Sequence, residues 1–599
     1  MNKKLLILLI AFLSLSINCK TEKIEEIITV VSVTPQKINE TVSTVDYLNE
    51  NDLKKLIPKD LAAILSSYLA IDVSSNGGLG QYSSIFLRGT NSNQTLVKVN
   101  GIKINPYTAG GASIYNLDPS LITSIEIGSG PFSTIHGSEA IGGVINISTS
   151  NKEHKSFSRI TASLGPDNFS KGSYQIQKTQ KDKSIGLLLL NSATDGFPTL
   201  IGSEINNGYK NQSLISSFRL NHQKVKMDLA SWHSQGKTEY LSYQMSPLEQ
   251  DYKNSAVSVN LTLEDSNEGS LIINFGHSRD LISQNQINFL GLEDLTETKT
   301  NSLEFIYSRN INNGLFVNTG YMGEFPKVNY SSYGTSFKKK LSMNSYFLEL
   351  RRKADSHLLE FKIRRTHHEI YKNQDSWNLG YKKEFSPKWD IRLNKGFAFR
   401  SPNSSELFGY GSNINLSPEE SNGNEAALQR TFINSNLSLV IFENKIKNLI
   451  EFYFKENILK NINKGSNRGL ELRYSWINNK FSGKFIIRSQ DPKDGNGQQL
   501  LRRSKQSLSL SLFKEFNFLS LTSTLTAFKR KRDIGGIELP GYGLMNISLN
   551  KVFRNNLDIS LRLENITNKN YFTASSFNGY YQNQDRSLWL NVSYKINKP

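Results

Sequence analysis

From residue 151 to the C-terminus the chain repeats one pattern, with apolar residues at every second position and polar or charged residues between them. It appears at Ile160/Ala162/Leu164, Leu303/Phe305/Tyr307, Leu359/Phe361/Ile363, Leu508/Leu510/Leu512, Leu557/Ile559/Leu561/Leu563 and Leu588/Leu590/Val592/Tyr594/Ile596. Successive side chains of a strand point to opposite faces, so this period gives a sheet with one apolar and one polar face. Such a sheet belongs to a soluble β-sandwich or propeller, or to a closed barrel that crosses a membrane. No blade-like repeat is present, and strict alternation carried to the chain end marks membrane-spanning antiparallel strands. Closure leaves no unpaired edge in lipid. At about 20 residues per strand and connection, 151–599 predicts about 22 strands, even in number as such barrels are.

Composition agrees with a barrel better than with helices. Only 37% of the 599 residues are hydrophobic and the mean hydropathy is −0.42. Beyond the N-terminus no run reaches the ~18 apolar residues of a membrane helix. At the N-terminus, Lys3-Lys4 precede an apolar stretch over 5–15 and then small or polar residues, the layout of a secretory signal over 1–19. The single cysteine, Cys19, excludes an intramolecular disulfide. Leu15-Ser16-Ile17-Asn18-Cys19 loosely resembles a lipoprotein signal, but Ser16 and Asn18 depart from it, and ordinary cleavage is expected. The net charge of +18 is scattered rather than clustered, and export makes nucleic acid an unsuitable partner. Anionic membrane lipid or surface polysaccharide is the better counter-charge.

Ahead of the alternating region, residues 41–150 read as a compact α+β domain. Short β-type runs at 85–87, 96–99, 125–127 and 144–147 are separated by Gly, Asn, Ser and Pro. Apolar residues at Leu53, Leu56, Ile57, Leu61, Ile64, Leu65 and Leu69 predict helix, interrupted at Pro58. The leader over 20–40 carries the β-prone run Thr29-Val30-Val31-Ser32-Val33-Thr34, suited to pairing as an added strand with another protein, or to serving as an ordinary first strand. No catalytic constellation stands out, and the chain does not read as an enzyme. Gly77-Gly78-Leu79-Gly80 lacks the Lys-Ser/Thr of a phosphate loop. His367 and His368 are adjacent on a strand and so point apart, which disfavours a shared haem or zinc site.

Several stretches resemble the TonB-dependent outer-membrane transporters, most densely those that take up cobalamin. They are Asn76-Gly77-Gly78-Leu79-Gly80-Gln81-Tyr82-Ser83-Ser84, Ile85-Phe86-Leu87-Arg88-Gly89-Thr90-Asn91, Val97-Lys98-Val99-Asn100-Gly101, Ile125-Glu126-Ile127-Gly128-Ser129-Gly130-Pro131 and the run 137–147. In the barrel region they include Phe397-Ala398-Phe399-Arg400-Ser401-Pro402, Asn415-Leu416-Ser417-Pro418-Glu419, Asn463-Lys464-Gly465 with Gly469-Leu470-Glu471, and 564–571. The resemblance implies an N-terminal plug inside the barrel lumen and a TonB box at Thr29, Val30, Val31, Ser32, Val33 and Thr34. It further implies energising by the TonB-ExbB-ExbD complex and hand-over of a cobalamin-type ligand to a periplasmic corrinoid-binding protein. Ligand contacts carry over onto Gln81, Tyr82, Ser83, Ser84 and Asn91 in the first plug loop and Ala109 and Gly110 in the second. On the barrel, Leu500-Leu501-Arg502-Arg503-Ser504-Lys505 points to Arg502. Calcium in the outer loops would fall to Asp195 and Glu239, although the expected acidic cluster reads Asn206-Asn207-Gly208. Two further departures are the lack of Pro-Gly near Leu69-Ala70 and a tail that does not end on an aromatic residue. A siderophore or haem receptor, or a surface-binding barrel without energised transport, remain alternative readings.

Overall fold

The computed structural model describes residues 26–150, 155–242, 244–265, 269–287, 293–312, 314–453, 455–553, 556–576 and 579–596. The signal expected over 1–19, with Cys19, and the last residues 597–599 lie outside these. The wall is a closed antiparallel barrel running from Phe157–Leu164 to Ser587–Ile596, which pair with each other, Ile160 opposite Tyr594. Thr335–Lys340 and Met343–Ala354 pair with different lengths of Leu315–Ser332 and are two halves of one wall strand interrupted at 341–342. Counted so, the wall has 22 strands, the number anticipated from chain length.

Burial along the wall is inverted relative to a soluble sheet. In His357–His368, Glu360, Lys362, Arg364 and His368 are buried, whereas Leu359, Phe361 and Ile363 are exposed, Leu359 by 54%. Such a surface is tolerable only where the outer medium is itself apolar. Opposite placement of His367 and His368 also holds: the first is exposed beside Asn373, the second faces inward and accepts the Ile370 amide. At one end of the barrel the strands are joined by tight turns, as at 181–182, 223–224 and 355–356. At the other they are joined by long connections such as 195–208, 401–418, 491–505 and 565–586.

Inside the wall sits a five-stranded sheet in the order Val45–Leu48, Ser124–Ser129, Gly143–Ser148, Thr95–Val99, Ile102–Lys103, with one parallel pairing between its third and fourth strands. The predicted interrupted helix is a pair, Glu50–Leu56 and Leu61–Leu69. Asn49 and Asp52 form a reciprocal capping box on the first, and Asp60 caps the second. Ile57 leaves the right-handed region (φ 47°) because a following proline disfavours it there. The missing Pro-Gly is answered by Ala70 in a left-handed conformation (φ 53°). Its amide and that of Ile71 return to the Ser66 and Leu65 carbonyls, at 3.1 Å each, and Arg488 of the wall holds its carbonyl at 2.7 Å. Helix and sheet side chains such as Leu65, Leu69, Ile125 and Ile145 pack in one cluster with Leu188, Ile215 and Trp232 of the wall. Plug and barrel therefore share a core.

Candidate functional site

The first plug loop, between Asp72–Ser75 and Ser83–Phe86, rises toward the long-connection end. Two of its glycines are demanded by the wall: with φ of 78° and 71°, Gly77 and Gly80 have no room for a Cβ, which would strike the Gln582 carbonyl and the Tyr209 ring. Tight seating leaves few side chains free. Gln81 is buried and donates to the Glu239 carbonyl (2.7 Å), Ser83 donates to the Gln81 carbonyl (3.1 Å), and Ser84 is buried in its strand. Tyr82 alone among them is exposed, by 43%, with its ring 5.9 Å from Tyr115. The second loop meets it: Ala109 is exposed, Gly110 (φ 79°) is buried against Asn93 and Asn403, and Gly111 lies beside the Tyr82 hydroxyl. The structure thus brings Tyr82, Ala109 and Gly110 together, with Ser92 and Asn93 between them, and turns Gln81, Ser83 and Ser84 into supports.

Arg502 and Asn91 do not join that cluster. Arg502 is bound to Asp533 (2.7 Å), and it is its neighbour Arg503 that reaches the plug, donating to Asn91 Oδ1 and the Gly89 carbonyl. The carboxylates expected at a calcium site are engaged locally, Glu239 by the Gly208 amide (2.9 Å) and Asp195 by Asn168 (2.7 Å). Among the described residues no group of three or more His, Cys, Asp or Glu is placed to hold a metal ion. What sequence reasoning missed is an aromatic wall over the second loop. Tyr330 stacks on Phe337 (4.9 Å), Phe337 meets Phe408 edge-on (5.7 Å), and Tyr333 meets Tyr410 (5.9 Å). Tyr330, Tyr333 and Phe337 come from one hairpin and Phe408 and Tyr410 from the connection 401–418, so only the fold brings the two sets together.

Below the loops, plug and wall are joined by buried ions. Arg88 (φ 47°) pairs with Glu425 (2.5 Å) and Glu471 (3.2 Å); Glu471 also takes Arg473 (2.5 Å) and Arg488 (3.0 Å), and Arg473 pairs with Asp46 (2.7 Å). Lys484 joins at Asp46 (3.0 Å), so four cations surround three carboxylates. Burial alone would raise the Asp46 carboxyl, but Arg473 and Lys484 hold it down at about 2. Because desolvation offsets most of the attraction in such networks, their contribution is chiefly to set the plug's register in the lumen.

The proposed box lies at the tight-turn end, where the structure differs from the extended strand expected. Ile27–Ile28 pairs with Gln36–Lys37, and Thr29–Thr34 forms the turn between them. Val30 and Val31 are buried against Leu96, Phe132 and Val144. Its backbone groups are taken by side chains: Glu126 accepts the Thr29 and Val30 amides (2.8 and 3.0 Å), Lys362 donates to the Val31 carbonyl (2.7 Å), and Glu349 accepts the Val33 amide (3.4 Å) together with the Ser32 hydroxyl (3.0 Å). His136 Nε2 lies 2.9 Å from the Val30 carbonyl and Nδ1 3.3 Å from Lys98 Nζ. Donation from Nε2 and acceptance at Nδ1 require the neutral ring, and burial with the Lys98 charge holds its pKa well below the usual value.

Residues 37–144 match the family model described as TonB-dependent Receptor Plug Domain, and 156–568 match that described as TonB dependent receptor-like, beta-barrel. The Vitamin B12 transporter BtuB of Vibrio vulnificus (strain CMCP6) is 25% identical over 602 residues, covering 94% of each chain. That of Photobacterium profundum is 24% identical over 589 residues, again covering 94% of each. Among solved structures, the FrpB iron transporter of Neisseria meningitidis superposes with a TM-score of 0.79 at 12% identity, over 93% of this chain and 100% of that one. The ferric enterobactin receptor PfeA of Pseudomonas aeruginosa gives 0.79 at 15% identity, over the same shares. With a plug wedged in a closed 22-strand barrel and family models matching both parts, the chain belongs to the TonB-dependent receptor family, as an outer-membrane transporter.

Proposed function

We propose that this transporter imports cobalamin or a related corrinoid into the periplasm. The observation that carries the reading is the end-to-end match to proteins named vitamin B12 transporters, whereas the iron and siderophore receptors, at 12–15% identity, share the fold alone. The cargo would settle on Tyr82, Ala109 and Gly110, with the buried Gln81, Ser83, Ser84 and Asn91 fixing the loop shapes and Arg502 bordering the chamber from the wall. A tyrosine face suits the corrin edge, and the hydroxyls and amides around it suit a rim of amide side chains. The TonB-ExbB-ExbD complex would draw on Thr29–Thr34, and a periplasmic corrinoid-binding protein would receive the cargo.

Calorimetry with the purified protein should give a submicromolar dissociation constant for cyanocobalamin and weak binding of ferric siderophores. Tyr82→Ala should weaken cyanocobalamin about tenfold, the loss of one well-packed aromatic contact. The aromatic wall favours a second reading, a receptor for an aromatic iron chelate or haem, and tight binding of either without corrinoid binding would establish it in place of the first. Transport is separable from surface binding. Val31→Pro fixes φ and removes a backbone donor in the box, so uptake should stop while binding at the outer face persists. Unchanged uptake would place the box elsewhere or leave a barrel that only binds.

A further inference from the structure

Arg279, Lys299, Lys327 and Lys340 lie side by side on the outside of the wall. They belong to Gly269–Ile287, Glu293–Asn312, Leu315–Ser332 and Thr335–Lys340. The register sets Arg279 opposite Lys299, Lys299 opposite Lys327 and Lys327 opposite Lys340, with Lys338 one outward position further along, opposite Asn329. Period two places them on the same face as Phe275, Phe305, Tyr307 and Phe325, all exposed on the lipid side. Each aromatic lies on the tight-turn side of the row, and the long connections lie beyond it. The row therefore stands where the lipid-facing band ends at the outer leaflet, at the level of headgroups.

The charge on this row is not balanced by the protein. Glu297 serves Arg279 (2.7 Å) and Lys299 (3.0 Å), and among the described residues Lys327, Lys338 and Lys340 form no ion pair. Residues 288–292, which join two of the strands, contain no ionisable side chain. Five cations thus face one carboxylate, and like charges set directly opposite one another repel. Other outward cations near the same rim have carboxylates of their own, Lys237 with Glu249 (2.6 Å) and Arg365 with Asp375 (2.7 Å). Lys210 and Lys253, also exposed near that rim, form no ion pair among the described residues, so what sets this stretch apart is the run of four cations in register across neighbouring strands.

We propose that the row is a binding site for the phosphate groups of an outer-leaflet lipid, whose acyl chains lie on the aromatic band beneath. Lysine and arginine donate charge-assisted hydrogen bonds to phosphate oxygens, and a headgroup with two phosphates spans neighbouring strands. The site stands whatever the transporter's cargo. Native mass spectrometry of the full-length protein in detergent should show an acylated diglucosamine bearing two phosphates retained at about a tenth of the concentration needed by its unphosphorylated form or by phosphatidylcholine. The triple variant Lys327→Gln, Lys338→Gln, Lys340→Gln should erase that preference while cyanocobalamin binding and heat-modifiable gel mobility stay unchanged. Glu297→Gln, which releases Arg279 and Lys299, should instead tighten retention. Equal retention of phosphorylated and unphosphorylated lipid, a triple variant that keeps the preference, no change with Glu297→Gln, or displacement by inorganic phosphate at the same concentration would each refute the assignment.

Discussion

His136 carries, in one side chain, the problem that this molecule solves many times over: a backbone carbonyl in the lumen needs a donor that water cannot supply. Its neutral ring joins Val30 to Lys98, and the pKa that permits this is depressed by burial and by that lysine. Folded value below unfolded value means that the stabilisation is present above the unfolded pKa of about 6.5 and is lost as pH falls beneath it. Docking of Thr29–Thr34 should therefore loosen toward pH 5. Proteolysis of the leader in the purified transporter reads this directly. Equal protection at pH 5 and pH 8 would show that the ring does not govern docking, and a pH response that survives His136→Gln would assign the dependence to other groups. Two adjacent arginines mark the limit of reading at this scale. Arg502 and Arg503 are alike as letters, yet the backbone at Arg502 (φ 65°) turns its side chain to Asp533 and sends the next one into the plug.

Among elements, the short helix Ser404–Phe408 in the connection 401–418 decides how the second plug loop is covered. Asn403 caps it by accepting the Glu406 amide (2.9 Å), and Glu406 returns the bond to the Asn403 amide (2.7 Å) while pairing with Arg400. From this turn the Ser404 amide reaches the Tyr107 carbonyl (2.9 Å) and Ser405 reaches that of Thr108. Asn403→Ala should remove about 1 kcal/mol from the helix, the usual value of a side-chain cap. Limited proteolysis within 401–418 should then quicken and cargo affinity should fall several-fold, with the barrel's melting temperature unmoved. A connection as resistant as the parent's would show that the pairing with Arg400 is sufficient to hold it. The leader is the opposite case. Its β-branched residues read as a strand, but the apolar ones bury more surface as a turn against Phe132 and Val144, and packing overrides propensity there.

Taken whole, the molecule is a wide tube closed by its own N-terminal domain. Twenty-two strands enclose more space than wall side chains can fill, so the lumen conducts unless something occupies it. A chain lacking 26–150 should form a barrel that passes steady ion currents in planar bilayers, while the full-length protein stays closed. Silent barrels from the shortened chain would mean that the long connections collapse into the lumen and seal it without the plug. The buried network of Arg88, Arg473 and Arg488 with Glu425, Glu471 and Asp46 explains why the plug has one seating: any slip leaves a charge unpaired away from water.

The alternation after residue 151 determined the architecture by itself, because period two, chain length and the absence of long apolar runs leave a closed barrel of about 22 strands as the arrangement that satisfies every backbone group in lipid. The apolar spacing from Leu53 to Leu69 and its interruption at Pro58 likewise foretold the helix pair, since those are local features. The candidate site was legible only as a stretch of chain. That Tyr82 and Ala109 present themselves while Gln81, Ser83 and Ser84 are consumed as supports follows from contacts with Glu239, Tyr209 and Gln582, more than a hundred residues away. The approach of Phe408 and Tyr410 to the hairpin at Tyr333, the burial of the leader's turn and the row from Arg279 to Lys340 were likewise set by contacts and register between elements rather than by neighbours along the chain. A residue's own neighbours along the chain specify which face of a strand it occupies; only closure of the tube around the plug specifies what that face meets.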